Sequence, residues 1–147
     1  MNSAAAQEIT IYGDSLPRVP DGEYELSFQD HTTTYLYGRS PKVCCYFKIV
    51  TIGPHFEQIL PRYYNVKTLN TKPRKRGGFT VGRHSDFLRE YVRLFGLPSR
   101  QDRISTEAFR NVIVIGRTKT VDVDSKQRVI PEPLRYSVIA ELTGLVR

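Results

Sequence analysis

The charged side chains best suited to chemistry lie in one segment, residues 58–85, which contains basic residues but no acidic one. The basic residues of this segment are Arg62, Lys67, Lys72, Arg74, Lys75, Arg76 and Arg83. The rest of the chain is formally neutral, because the remaining 15 of the 22 basic side chains are balanced by the 15 acidic ones. The whole net charge of +7 is therefore local, and a local field of one sign indicates a polyanionic partner.

Aromatic side chains accompany these cations. Tyr46 alternates with Lys42 and Lys48, and Tyr64 and Phe79 lie inside the basic segment. Aromatic rings stack on unpaired bases while cations meet phosphates, a combination that suits single-stranded nucleic acid. The candidate binding residues are therefore Lys42, Tyr46, Lys48, Arg62, Tyr64, Lys67, Lys72, Arg74, Lys75, Arg76, Phe79 and Arg83.

These assignments have simpler alternatives. Core packing is the usual role of aromatic residues in strands. The run from Lys72 to Arg76 could be a solvated surface run or a localisation-like signal, although Gly77 and Gly78 would leave it free to wrap a strand. Neighbouring strand residues point to opposite faces, so only one of Tyr63 and Tyr64 can face a groove, and we assign that role to Tyr64.

Residues that support catalysis or bind metals occur in weak combinations. His84 and Asp86 flank a predicted helix start without a nucleophile, so helix capping is the simpler interpretation. Asp122 and Asp124 could hold a divalent ion as paired carboxylates in nucleases do, but the turn residues beside them favour a hairpin connection. We therefore expect a protein that is not an enzyme and has no cofactor, with a metal-dependent nuclease as the last alternative.

The two cysteines are adjacent, at positions 44 and 45. Strand geometry would direct them to opposite faces, so we expect reduced thiols and not a disulfide. His31, His55 and His84 occur singly, without the spacing of a zinc site.

Alternating apolar residues predict the strands that carry these side chains. The stretch from Tyr24 to Phe28 alternates with polar residues and predicts a first strand. Residues 32–41 contain turn signals and predict a long hairpin loop. Its aromatic tip, Tyr35 and Tyr37, either caps one end of a groove or folds back on the domain.

A second predicted strand covers residues 42–52. One face is expected to enter the core and carries Val43, Cys45, Phe47 and Ile49. The other face is cationic and aromatic and carries Lys42, Cys44, Tyr46 and Lys48. A third strand is predicted at 56–66, where Pro61 indicates an edge position or a bulge, and a basic loop follows it.

The best-signalled element is a helix that starts after Ser85, a good N-cap, and ends at Gly96. A short helical turn near 105–109 and strands at 111–123 and 134–142 follow it. Five strands with a helix between the third and fourth is the order of an OB-fold, a five-stranded Greek-key barrel that is all-β apart from one helix. We expect residues 1–20 to be a tail or lead-in and residues 21–147 to form this domain.

Several short runs resemble phage-type OB-fold single-stranded DNA-binding proteins. They are Val-Pro-Asp-Gly-Glu-Tyr-Glu-Leu at 19–26, Phe-Lys-Ile-Val-Thr-Ile-Gly at 47–53, Tyr-Asn at 64–65 and Leu-Phe-Gly at 94–96. The resemblance covers residues 19 to about 142 and implies coating of single strands in phage or mobile-element replication, recombination or repair. Many members end in an acidic tail that recruits replication proteins, whereas this sequence ends Gly-Leu-Val-Arg, which puts such recruitment in doubt.

The sequence therefore predicts a protein that binds and protects single-stranded DNA with little sequence preference. Replication or recombination proteins are further expected partners, and homo-oligomers stay open because exposed strand edges can pair. The alternative function is a protein-interaction module whose basic patch docks an acidic partner. Without an 18-residue apolar run or a secretory signal, we expect no membrane association and a cytoplasmic location in a bacterial host.

Overall fold

The structure is a computed structural model that describes residues 17–36, 38–98 and 104–146. Its strands are β1 (Glu23–Leu36), β2 (Ser40–Ile49), β3 (Ile59–Asn65), β4 (Thr68–Leu69), β5 (Phe79–Thr80), β6 (Ile113–Val121) and β7 (Tyr136–Leu145). The main helix is α1 (Asp86–Phe95), and short 3₁₀ helices cover Thr106–Asn111 and Glu132–Leu134. The predictions for residues 1–16 and for Tyr37 lie outside the described residues.

Five strands form one antiparallel sheet in the order β3-β2-β1-β6-β7, and β4 and β5 form a separate two-stranded sheet. The main sheet curls so that its two outermost strands, β3 and β7, lie side by side, with α1 packed against both. No backbone pairing joins β3 to β7 in the described chain, so the sheet is not closed. A mostly β protein with one main helix is thus confirmed, whereas the predicted barrel is open along this line.

The core follows the alternation of the strands. Leu26 and Phe28 of β1 are buried, and on β2 the predicted core face is confirmed because all four of its residues are fully buried. The rings of Phe28, Phe47 and Phe109 contact one another at centroid distances of 5.5–5.8 Å. The register shifts between Phe28 and Asp30, where β1 has one residue more than β2. This bulge places Asp30 opposite Tyr46, so its side chain points outward although that of Phe28 points into the core.

The hairpin between β1 and β2 differs from the prediction. Residues 32–41 were expected to form a long loop, but β1 continues to Leu36 and β2 begins at Ser40. The run of threonines at 32–34 has high β-propensity, and Thr33 is buried opposite Val43. Tyr35 therefore belongs to a strand, and its side chain is exposed.

Helix α1 begins and ends where its sequence signals predict. The Ser85 hydroxyl accepts the Leu88 N–H at 3.1 Å, and Gly96 ends the helix with a φ of 83° that favours glycine. Strand β3 lies at the edge of the sheet, as Pro61 predicted. The fold begins slightly before the predicted boundary at Asp21, because Val19 is buried and its N–H donates to Ser137 Oγ at 2.8 Å.

None of the helices in the described ranges is long and apolar enough to cross a membrane.

Candidate nucleic-acid interface

The basic loop, residues 67–78, is docked on the free edge of β1. The Thr33 N–H donates to the Arg74 carbonyl at 3.0 Å, and the Arg76 N–H donates to the His31 carbonyl at 2.8 Å. Strand β6 pairs with β1 only along Glu23–Ser27, so the basic loop takes up the edge that β6 leaves. The backbone of the loop is therefore positioned by the sheet, while its basic side chains are exposed to solvent.

Gly77 has a different role from the predicted one. A Cβ at this position would lie 2.4 Å from Thr33 Oγ1 and 3.2 Å from the Arg74 carbonyl oxygen. The Gly77 carbonyl also accepts a 2.9 Å hydrogen bond from His31 Nε2, since a carbonyl can only accept. Glycine is required here for close approach to β1, so the expectation that it leaves the loop free to wrap a strand is wrong.

Asp30 gathers three cations next to the basic loop. Its carboxylate accepts the Arg76 Nε–H at 3.0 and 3.1 Å, and it lies 3.6 Å from Lys75 Nζ and 3.4 Å from Arg110 Nη2. Burial alone would raise the pKa of Asp30, but the His31 N–H and the Arg76 and Lys75 cations hold that pKa below its ordinary value. The carboxylate therefore stays ionised and holds the three cations together on the outside of β1.

We define the outer face as the outward surface of β1, β2 and β3. On β2 it carries Lys42, Cys44, Tyr46 and Lys48, as the sequence predicts. Tyr46 lies directly opposite Asp30 of β1, so its side chain is beside the three cations. Lys48 lies opposite Ile59 of β3, and Lys42 donates to Asn65 Oδ1. The outer face thus continues from the basic loop across Tyr46 to both lysines of β2.

Cys44 is an exception on this face because it is buried, although it was expected to be outward. Its thiol is hydrogen-bonded to Tyr46 and Tyr63, which flank it on the outer face. Burial raises the pKa of Cys44 to about 11, against which the two tyrosine hydrogen bonds act only partly. Both cysteines are free thiols, as predicted.

The assignment of Tyr64 to the groove is wrong. Tyr64 is 1% exposed, packs edge-on against Phe87 at 5.1 Å and donates its hydroxyl to Glu90 Oε1 at 2.7 Å. Tyr63 alternates with it, is half-buried and lies opposite Cys44 of β2, on the outer face. Tyr63, which sequence reasoning set aside, therefore supplies the second ring of the outer face.

Arg62 is likewise buried and does not lie on the outer face, although it borders the cleft described below. Its guanidinium forms a buried ion pair with Glu90 of α1 and lies 4.3 Å from the centroid of the Tyr64 ring. Burial lowers the pKa of Arg62, but the hydrogen bond to Glu90 and the charge interactions with Tyr64, Glu90 and Asp86 together more than offset this, and the net pKa is raised. Arg62 thus carries a charge that joins β3 to α1.

Phe79 and Arg83 also lie away from the outer face. The Phe79 ring packs edge-on against His31 and Phe87 at 5.7 and 5.4 Å, so core packing explains it better than base stacking. Arg83 lines a depression beside α1 with Leu88 and Val92. Neither residue supports the predicted contact on this face.

A cleft lies where the sheet is open, between the β1–β2 hairpin and the β6–β7 hairpin. Its volume is about 600 Å³, and Lys42, Arg62, Tyr63, Lys119 and Tyr136 line it together with apolar residues of β7. No carboxylate side chain is among the described residues that line this cleft. Lys119 and Tyr136 were missed by sequence reasoning, although Lys119 alternates with buried residues of β6 and could have been read as outward.

Exposed cations without a carboxylate partner among the described residues include Lys67, Lys72 and Arg74 of the basic loop and Lys119 of the cleft. Cations without partners attract phosphates from a distance, and tyrosines between them offer stacking surfaces. The arrangement suits an extended, flexible polyanion that carries aromatic groups.

The described residues contain no group of three or more side chains that could hold a metal ion. Asp124 belongs to a turn, as predicted, where its Oδ1 accepts the N–H groups of Lys126 and Arg128 at 2.8 and 3.0 Å. The Arg128 N–H above all, with the Lys126 N–H and the Arg128 guanidinium, holds the pKa of Asp124 below its ordinary value, although desolvation of the carboxylate acts in the opposite direction.

No protein-family model matches the chain, and no match was found among curated proteins or among solved structures.

Proposed function

We propose that this protein binds and protects single-stranded DNA with little sequence preference and without enzymatic activity. The observation that carries the proposal is the outer face, where Tyr46 and Tyr63 lie between Lys42, Lys48 and the cations gathered by Asp30. The bound strand follows this face from the basic loop towards the cleft. Its phosphates meet the cations, and its bases stack on the two tyrosines at ~1–3 kcal/mol each.

The topology supports an OB-fold assignment, which we also propose. The order β3-β2-β1-β6-β7 places β6 beside β1, and α1 lies in the connection that makes this crossover. OB-folds are partly open Greek-key barrels that bind oligonucleotides on their second and third strands and between two hairpin loops. Those parts correspond here to β2, β3 and the hairpins on either side of the cleft.

The proposal predicts a specific response to salt. Replacing Arg74, Lys75 and Arg76 together by Ala should reduce the slope of log affinity against log salt by about two units, from ~0.7 per phosphate contact. Arg89→Ala is the matched control, because Arg89 is exposed on α1 and paired only with Asp86. Fluorescence anisotropy of a labelled oligo-dT measures both slopes, and an unchanged slope in the triple variant would remove the basic loop from the site.

The second candidate is a module that docks an acidic protein partner. It is favoured by the depression beside α1, where Arg83 lies among the apolar side chains of Leu88, Val92 and Leu97. The two functions separate at Tyr46. A docking module would bind DNA weakly and equally well with Tyr46→Ala, whereas loss of DNA affinity in this variant supports the outer face.

Roles in phage or mobile-element replication, recombination or repair rest on the family resemblance and stay a prediction. Contact with other replication proteins is likewise a prediction.

A further inference from the structure

We infer that Arg76, Lys75 and Arg110 form one defined phosphate-binding site, with Asp30 as the residue that positions them; this rests on the proposed function. Arg110 lies outside the basic segment, in the 3₁₀ helix Thr106–Asn111, and its charge was not part of the predicted site. Its Nη2 lies 3.4 Å from Asp30 Oδ1, so Arg110 and the basic loop, two distant parts of the chain, converge on one carboxylate.

Arg110 is held in place from several directions. Its Nε–H donates to Glu107 at 2.8 Å, its Nη1 donates to the Gln29 carbonyl at 2.9 Å, and its guanidinium lies 5.0 Å from the centroid of the Phe28 ring. The hydrogen bond to Glu107 raises the pKa of Arg110. A guanidinium fixed in this way loses little conformational entropy when it binds a phosphate oxygen.

Arg76 leaves most of its donors for a ligand. It contacts Asp30 through Nε, whereas its two terminal amino groups have no hydrogen-bond partner among the described residues. Lys75 is 70% exposed and 3.6 Å from Asp30, so it too can reach an added anion. Terminal guanidinium nitrogens are the donors that form paired hydrogen bonds to phosphate.

The charge of the cluster matches one phosphodiester. Three cations face two carboxylates, those of Asp30 and Glu107, which leaves one positive charge uncompensated. A phosphodiester carries one negative charge and would complete the balance. Tyr46, opposite Asp30, then lies next to this phosphate and is placed to stack the adjoining base.

Asp30→Asn separates positioning from charge. If only net charge mattered, removing a negative group would tighten DNA binding. If Asp30 positions Arg76 and Arg110, the same change weakens binding, which we expect to be about tenfold, the equivalent of one charge-assisted contact at ~1.4 kcal/mol. Glu132→Gln is the matched control, because it removes an equal charge from an exposed carboxylate that pairs with Arg18 and Arg135, neither of which belongs to the site.

The test is anisotropy of oligo-dT with wild type, Asp30→Asn, Glu132→Gln, Arg110→Gln and Arg110→Lys at about 0.05 and 0.2 M salt. Arg110→Gln should lose about tenfold in affinity and ~0.7 in salt slope, while Arg110→Lys keeps the slope because it keeps the charge. Equal binding by wild type and Arg110→Gln, or tighter binding by Asp30→Asn, would overturn this inference and leave the proposed function standing. A wild type that does not bind would overturn the proposed function and the inference with it.

If a variant does not fold, NMR of the wild-type protein tests the same site. Addition of oligo-dT should shift the Nε–H resonances of Arg76 and Arg110 and leave that of Arg89 in place. Unshifted Arg76 and Arg110 signals on the bound protein would contradict the site.

Discussion

Arg62 and Arg76 come from the same basic segment and are both paired with a carboxylate, yet one lies in the interior of the protein and the other on its surface. Arg62 points inward from β3 to Glu90, with a side chain 10% exposed, and joins the sheet to α1. Arg76 is 63% exposed, held by Asp30 through one nitrogen and open to solvent through the others. A run of positive charge along the sequence therefore divides into a structural part and a surface part, and the surface part keeps donors open to a ligand.

The largest expected effect is on the interior pair. Glu90→Ala would leave the Arg62 guanidinium buried without its partner and would remove the acceptor of the Tyr64 hydroxyl. Breaking a buried ion pair in this way costs about 3–5 kcal/mol of unfolding free energy. Urea denaturation measures the loss.

The matched control for Glu90→Ala is Asp86→Ala, which breaks the exposed pair between Asp86 and Arg89 on the same helix. We expect a loss of about 1 kcal/mol or less from the ion pair, since exposed pairs contribute little. Equal losses in the two variants would mean that Arg62 and Glu90 are not a structural pair.

The docking of the basic loop is tested by Gly77→Ala. The added methyl group would meet Thr33 Oγ1 and the Arg74 carbonyl oxygen, so we expect a loss of about 1–3 kcal/mol from overpacking. Gly78→Ala is the neighbouring control, because its Cβ would make only ordinary contact with Asn70 at 3.4 Å. Hydrogen exchange of the Thr33 and Arg76 amides reports the docking directly, and unchanged protection in Gly77→Ala would contradict it.

Two tyrosines extend the comparison from stability to binding. Tyr46→Ala should weaken single-stranded DNA binding by ~1–3 kcal/mol, while Tyr46→Phe keeps the ring and most of the affinity. Tyr64→Phe should lower stability and not DNA affinity. It removes the hydrogen bond to Glu90, at about 1–2 kcal/mol of stability, and leaves DNA affinity unchanged.

Paired anisotropy and denaturation curves of the Tyr46 and Tyr64 variants separate these effects. Loss of DNA affinity in a folded Tyr64→Phe protein would contradict its placement in the core.

Surface carboxylates give the smallest effect, a dependence of stability on pH. The Arg117 and Arg93 hydrogen bonds hold the pKa of Glu141 below its ordinary value, and Asp30 is shifted in the same direction. A carboxyl group whose pKa is lower in the folded state stabilises the fold above its unfolded pKa of about 4, and this is lost as the pH falls through the folded pKa. The melting temperature should therefore fall below about pH 4, and less steeply in Glu141→Gln.

Local features of the fold were accessible from sequence, and non-local ones were not. The alternation in β1 and β2 and the capping of α1 by Ser85 are local patterns, and the structure agrees with them. Partners of the basic residues lie far away in the chain: Glu90 is 28 residues from Arg62 and Asp30 is 46 from Arg76. These pairings depend on the tertiary fold, so the absence of acidic residues near the two arginines in the sequence does not reveal them.

The candidate site was predictable to a similar degree. Alternation with lysines placed Tyr46 on the outer face, but adjacent Tyr63 and Tyr64 could be told apart only by the register of β3 against β2. The alternation of β6 marks Lys119 as outward, but the opening between β3 and β7 depends on the curl of the whole sheet, so the cleft itself has no local signal. The turn residues that follow the threonines at 32–34 predict a loop, but the β-propensity of these threonines favours the strand that the structure shows.

The most direct test of the central claim is anisotropy of one labelled oligo-dT of about 30 nucleotides, its duplex and its RNA equivalent, titrated with wild-type protein at two salt concentrations. The account predicts tight binding to the single strand that weakens steeply with salt, and much weaker binding to the duplex, whose bases cannot reach the tyrosines. Weak binding to all three at low salt would contradict it.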